Sequence, residues 1–175
     1  MSGAFDFADV FDEDYLYFYE PRLVETSDAD AEIVWRLLEL EPGMEVLGLA
    51  CGHGRITNGL AERGVSPGWT RRRSFSTTSA ATRPRGVEVE YVHGDMRSLP
   101  WRQSRFDRVV RWVTCVLREA HRAPRPGGKL LIENNNLAGL LPRWLPAIVV
   151  ERDGDFSIDR STFDPKTGRA TPERG

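Results

Sequence analysis

The chain has 175 residues, of which 40% are hydrophobic, with 24 lysines and arginines against 26 aspartates and glutamates for a formal net charge of -2. That length fits one domain, or one domain with a small appendage, and the near-balanced charge gives no global reason to expect nucleic-acid binding. No apolar run approaches the roughly 18 residues of a membrane span, the start Met1-Ser2-Gly3-Ala4-Phe5-Asp6 lacks the regions of a signal peptide, and Cys51 and Cys115 form neither a disulfide framework nor a metal-ligand pattern, so the expectation is a cytoplasmic protein with no metal.

Residues 1–25 are acidic and aromatic, with Phe5, Phe7, Phe11, Tyr15, Tyr17, Phe18 and Tyr19. They read as an N-terminal helix packed on the domain, or as a lid whose tyrosines close over a ligand. Pro21 lacks an N–H donor and is expected to end that helix. Ser27-Asp28-Ala29-Asp30 resembles a capping box, with acids where the helix dipole favours them. Ile33, Val34, Leu37 and Leu38 follow at helical spacing, and Pro42-Gly43 stops the element.

Met44 to Leu49 is an apolar run, as a strand buried on both faces of a parallel sheet would be. It leads into Ala50-Cys51-Gly52-His53-Gly54-Arg55. Gly52 and Gly54 supply a turn without Cβ atoms, so the backbone can approach a ligand closely. Arg55 to Arg63 reads as a helix with Ile56 and Leu60 on one face and Gly64 as its stop. A strand, a tight glycine turn and a helix N-terminus together make a nucleotide-like cofactor site at the carboxyl end of a strand.

Gly64-Val65 should open a second strand, ending in an acid that binds ribose hydroxyls about 20 residues past the glycines. No Asp or Glu occurs between Glu62 and Glu88. Pro67 and Gly68 are poor central-strand residues, and 66–86 reads as a Ser/Thr/Arg-rich loop, either solvated or a phosphate-binding patch. Alternation resumes in the strand Val87 to Val92, followed by His93-Gly94-Asp95-Met96. Phe106 to Val113, including Arg111, is a further strand. A short helix over Cys115 to Arg122, the turn Arg125-Pro126-Gly127-Gly128 and the strand Lys129 to Glu133 complete an α/β order. After Asn134-Asn135-Asn136, two strand-like runs flank Asp153-Gly154, a strong hairpin signal, and 164–168 is another turn.

These landmarks resemble the class I S-adenosylmethionine-dependent methyltransferases, especially their small-molecule branch. The family's first strand and turn read approximately Val-Leu-Asp-Leu-Gly-Cys-Gly-x-Gly-Arg, and this chain has Val46-Leu47-Gly48-Leu49-Ala50-Cys51-Gly52-His53-Gly54-Arg55. Tyr91 to Met96, then Leu99-Pro100, is similar to the third-strand motif. Phe106 to Val110 is similar to the fourth strand, and Leu117 to Ile132 to the segment with Arg-Pro-Gly-Gly. The resemblance runs from about Ser27 to Asn134.

The resemblance implies an α/β fold: a Rossmann-like, mostly parallel sheet with flanking helices, incomplete at the C-terminus and followed by a short β-hairpin appendage. The core would be 45–133 within a domain of 1–136, with 1–40 as a helical lid and 137–175 as the start of a β-rich appendage. It implies S-adenosylmethionine as cofactor, held by Gly48, Ala50, Cys51, Gly52, His53, Gly54, Arg55, Asp95, Met96 and Arg111. In such enzymes the turn at Ala50 to Gly54 lies under the methionine portion, the acid at the position of Asp95 reaches the adenine amino group, and Met96 would pack on the ring. The expected partner is a small-molecule methyl acceptor, with no nucleic acid and no membrane.

The chain departs from the family pattern at Gly48, where the first-strand acid belongs, in the missing second-strand acid, and in a shortened stretch between Val113 and Leu117. The family's last two strands are not visible either. The return of family-like sequence at Gly86 suggests that 66–85 is a replaced, out-of-register segment and that the C-terminus is truncated. Cys51 reads as a small buried residue rather than a nucleophile. His53, His93 and His121 are candidate bases, and Asn134 to Asn136 stand where substrate contacts would fall. Two alternatives stay open. One is an NADP-binding Rossmann protein, with Arg71 to Arg73 near a 2′-phosphate, although Thr57 stands where the third fingerprint glycine belongs. The other is a catalytically dead remnant that serves as a binding or regulatory partner.

Overall fold

The computed structural model describes residues 12–52, 54–71, 89–93, 98–101, 103–111, 117–134 and 136–174. They fall into two compact units. One is Pro21–Asn134; the other takes the described residues up to Glu20 and those from Asn136 onwards.

The larger unit is a five-stranded parallel sheet. Its strands are β1 (Glu45–Leu49), β2 (Ser66–Arg71), β3 (Glu90–His93), β4 (Phe106–Arg111) and β5 (Pro124–Ile132), in the order β3-β2-β1-β4-β5. The central strand β1 is buried on both faces, because its alternating side chains enter two different cores. Val46 joins Ala31, Val34 and Leu38 of helix α1 (Glu13–Leu38) and Ile56, Leu60 and Ala61 of helix α2 (Arg55–Glu62). Leu47 and Leu49 join Leu99, Phe106, Val109 and Ala120, the last from helix α3 (Leu117–Arg122). Helices thus cover both faces, as the parallel strands and their apolar run require.

Three elements differ from the sequence expectation. Pro21 does not end the first helix, and Ser27 does not begin a second: α1 runs through both. Proline at 21 removes the donor that would reach the carbonyl of Tyr17, four residues back. That carbonyl instead accepts a hydrogen bond from the Arg152 guanidinium. Ser27 sits inside the helix, its hydroxyl donating to the Leu23 carbonyl at 2.7 Å, the back-bond that an interior serine makes in place of a cap.

Residues 66–71 are not loop but β2, paired with β1 from Glu45↔Ser66 to Leu49↔Thr70 and with β3 from Gly68↔Glu90 to Arg71↔His93. The Ser66 N–H reaches the Met44 carbonyl at 2.9 Å, towards β1. Successive residues point their backbone groups to opposite sides, so the donor that Pro67 lacks faces the β3 side, one residue before the described pairing with β3 begins. The third difference is in β5, which begins at Pro124 rather than Lys129. Phe106 pairs Pro124 and Arg108 pairs Lys129, so Arg125 to Gly128 bulge out opposite Asp107. A Cβ on Gly128 would lie 2.8 Å from the Asp107 carbonyl oxygen, which explains a glycine there.

The smaller unit is an antiparallel sheet of β6 (Ala147–Arg152), β7 (Asp155–Asp164) and β8 (Arg169–Arg174), preceded by the short helix α4 (Leu137–Leu140). The expected hairpin turns at Asp153 and Gly154, with φ of 54° and 90°, the two positive values that a type I′ turn demands. A third strand extends it. Asp164 builds the second turn by accepting from Lys166 N at 2.9 Å and Thr167 Oγ1 at 2.8 Å. The tyrosines at the start of α1 bond to this sheet. Tyr17 donates to the Arg152 carbonyl at 3.2 Å and to Asp153 at 3.3 Å, and Tyr19 donates to Asp159. No described helix is long and apolar enough to cross a membrane.

Candidate functional site

The sheet order places a topological switch between β1 and β4. The chain leaves β1 towards β2 and β3 on one side, and β4 continues to β5 on the other. Ligands in open α/β sheets bind outside the carboxyl ends of the strands at such a point. The glycine turn stands there.

The turn bends through three left-handed residues: Ala50 at φ 58°, Gly52 at 58° and Gly54 at 89°. The Gly54 N–H closes it on the Cys51 carbonyl at 3.0 Å, and the Asn58 N–H opens α2 by donating to the Gly54 carbonyl at 2.9 Å. Gly54 is the N-cap and makes no side-chain capping bond, so the first-turn N–H groups of α2 are left to favour a negatively charged group.

The two glycines do different work. A Cβ on Gly52 would meet nothing within 4 Å among the described residues, so this position is open towards them. A Cβ on Gly54 would lie 3.0 Å from Cζ and 3.3 Å from Cε1 of Tyr91, and closer still to the phenol oxygen. Tyr91, on β3, occupies the volume that a side chain at 54 would need, and its hydroxyl donates to Asn58 Oδ1 at 3.0 Å. Gly52 therefore leaves its side of the turn open among the described residues, whereas Gly54 permits packing. Tyr91 and Asn58 were not singled out from the sequence as site residues. The signal available there was Gly54 itself, whose missing side chain leaves room for a partner.

Other expected site residues are placed as follows. Gly48 is buried within β1, paired with Trp69 and Val110. Cys51 is half-buried. Arg55, the first residue of α2, turns to α1 and pairs with Asp30 at 2.5 Å. Arg111 is fully buried at the carboxyl end of β4, in register with Leu49. His53, Asp95 and Met96 lie outside the described residues, as does 72–85 of the altered segment. Of the candidate bases, His121 is exposed on α3. Asn136 spends its side chain capping α4, accepting from Ala138 N at 3.1 Å. Among the described residues, no three His, Cys, Asp or Glu side chains gather as a metal-binding group.

A clamp holds the segment before β4. Arg122 donates to Glu119 Oε1 at 2.8 Å and Oε2 at 2.5 Å, to the Leu99 carbonyl at 2.9 Å and to the Trp101 carbonyl at 2.8 Å. Glu119 in turn accepts from Leu99 N at 2.8 Å. The Arg122 hydrogen bond, then the Leu99 N–H, hold the Glu119 carboxyl below its ordinary pKa. Trp101 packs edge-on against Phe106, with ring centroids 5.5 Å apart.

Residues 47–132 match the family described as "Methyltransferase domain". Demethylmenaquinone methyltransferase of Bacillus mycoides is 30% identical over 110 residues, 55% of this chain and 46% of that protein. The chain spans about half the length of the curated relatives it matches. Among solved structures, the CcbJ methyltransferase from Streptomyces caelestis superposes with a TM-score of 0.61 at 22% identity, over 85% of this chain and 71% of that one. Coclaurine N-methyltransferase, bound to N-methylheliamine and S-adenosylhomocysteine (SAH), superposes with a TM-score of 0.51 at 18% identity, over 62% of this chain and 35% of that one. With the parallel sheet, its strand order and the glycine turn at the switch point, the family match identifies residues 47–132, about half of this chain, as a methyltransferase domain.

Proposed function

We propose that the chain binds S-adenosylmethionine at the turn between β1 and α2 and transfers its methyl group to a small-molecule acceptor. The observation that carries this reading is the open glycine turn at Gly52, at the carboxyl end of β1 and the N-terminus of α2. The cofactor supplies an electrophilic methyl group. The chain's part is alignment, since in-line displacement gains most from holding nucleophile and methyl in position. The open turn at Gly52 leaves room for the methionine portion, and the first-turn N–H groups of α2 suit its carboxylate. Asp95 and Met96 take the adenine end by resemblance. The demethylmenaquinone methyltransferase relative and the coclaurine N-methyltransferase fold match support a small-molecule acceptor.

The acids missing at Gly48 and between Glu62 and Glu88 set the expected affinity. A lost charge-assisted hydrogen bond costs about 1.5–3 kcal/mol, or roughly 10- to 100-fold, which weakens a micromolar site without abolishing it. Calorimetric titration with S-adenosylmethionine, SAH and NADPH tests the proposal. Heat with the first two and none with NADPH is the expected outcome. NADPH binding alone would favour the dinucleotide reading, and a folded sample that binds none of the three would favour the remnant.

A further inference from the structure

We propose that Tyr91 and Asn58 form a positioning pair that sets the shape of the glycine turn for the cofactor; this rests on the cofactor reading above. A line of contacts runs from β3 to the end of β1. The Tyr91 phenol donates to Asn58 Oδ1 at 3.0 Å. The Asn58 N–H donates to the Gly54 carbonyl at 2.9 Å, and the Gly54 N–H donates to the Cys51 carbonyl at 3.0 Å. The phenol ring also fills the space beside the Gly54 Cα. Asn58 is 5% exposed, so its amide is held by protein rather than by bulk water, where a hydrogen bond fixes geometry more firmly.

Two consequences follow. The first turn of α2 and Gly54 before it are pinned from β3 as well as from β1. Tyr91 also lies four residues before Asp95 on the same segment. The pair therefore ties the turn that takes the methionine portion to the strand that leads to the adenine-side acid. Removing the hydroxyl while keeping the ring leaves the Gly54 packing in place and frees the turn to shift, so its effect falls on binding more than on folding.

A double-mutant cycle on SAH affinity tests the pair, with Tyr91→Phe, Asn58→Leu and the double variant, each checked by thermal melting. Asn58→Leu keeps the γ-branched shape of asparagine, with bulkier methyl groups in place of the amide atoms, and removes the acceptor. Arg122→Ala, which is destabilised but lies away from the turn, is the control. Tyr91→Phe and Asn58→Leu should each weaken SAH by about tenfold, the double variant should be no weaker than the worse single one, and Arg122→Ala should bind as the wild type does. If Asn58→Leu fails to fold, Tyr91→Phe against the wild type and Arg122→Ala still decides. Wild-type affinity in Tyr91→Phe, or losses that multiply in the double variant, would overturn the pair while leaving the cofactor reading intact. A folded wild-type chain that does not bind SAH would overturn both.

Discussion

Substituting alanine at Gly52 and at Gly54 should produce opposite defects. At Gly54, φ of 89° costs an L-residue about 1–2 kcal/mol. The new Cβ also displaces the Tyr91 phenol and with it the bond to Asn58, a further loss of about 0.5–1.5 kcal/mol. The stiffer unfolded chain returns about 0.4–1 kcal/mol, which leaves a net destabilisation of about 2 kcal/mol. For a domain of this size, that lowers Tm by roughly 4–8 °C. At Gly52 the strain at φ 58° is largely offset by the same unfolded-state gain, and no atom of the described residues lies within 4 Å of the new Cβ. Stability should move by under about 1 kcal/mol, but the methyl group now projects from the open side of the turn, where the cofactor is proposed to lie. Thermal melts and SAH titrations of both variants check this. Gly54→Ala should melt low. Gly52→Ala should melt near the wild type and bind SAH at least tenfold more weakly. If Gly52→Ala bound like the wild type, or Gly54→Ala melted no lower than Gly52→Ala, the division of labour between the glycines would be refuted.

Arg122→Ala removes the clamp on Leu99 and Trp101 and should cost about 2–3 kcal/mol by urea denaturation. The clamp also predicts acid sensitivity. The folded pKa of Glu119 is depressed, so its contribution is fully present above the ordinary glutamate value of 4.5 and is lost as pH falls below it towards the folded value. Melts across pH 3–7 should show a shallower loss below that point in Arg122→Ala. Ala50→Gly relieves a left-handed alanine at φ 58°, and after the entropic penalty of glycine should stabilise the chain by about 0.5 kcal/mol, read from the urea midpoint. Thr57 is 1% exposed, and its hydroxyl has no partner among the described residues. Thr57→Val should raise stability by about 1 kcal/mol, and an unchanged or lower Tm would contradict that.

Much of each unit was legible where local rules and tertiary structure agree. The apolar run at 46–49 is buried on both faces, Gly64 ends α2 at φ 93°, and Asp153-Gly154 turns the hairpin. The failures share a cause: a distant group satisfied what the local sequence left open. Pro21 reads as a helix end because its missing donor orphans the Tyr17 carbonyl, yet Arg152, 135 residues further on, supplies a donor. Pro67 reads as a loop residue, yet its absent N–H faces the side where pairing with β3 has not begun. Arg125-Pro126-Gly127-Gly128 reads as a turn before a strand and is a bulge within one, tied to Asp107 through Arg125 at 2.6 Å. The candidate site follows the same logic. The glycines announced a turn, but the position of Tyr91 separates the glycine that stays open from the one that admits a neighbouring ring.

The central claim is that the cofactor sits on the turn between β1 and α2. Hydrogen exchange with and without saturating SAH reads this directly. The account predicts protection concentrated in the peptide spanning residues 49–58, with little change across β6 to β8. Protection confined to the C-terminal sheet, or no protection anywhere in a sample that binds SAH by calorimetry, would contradict it.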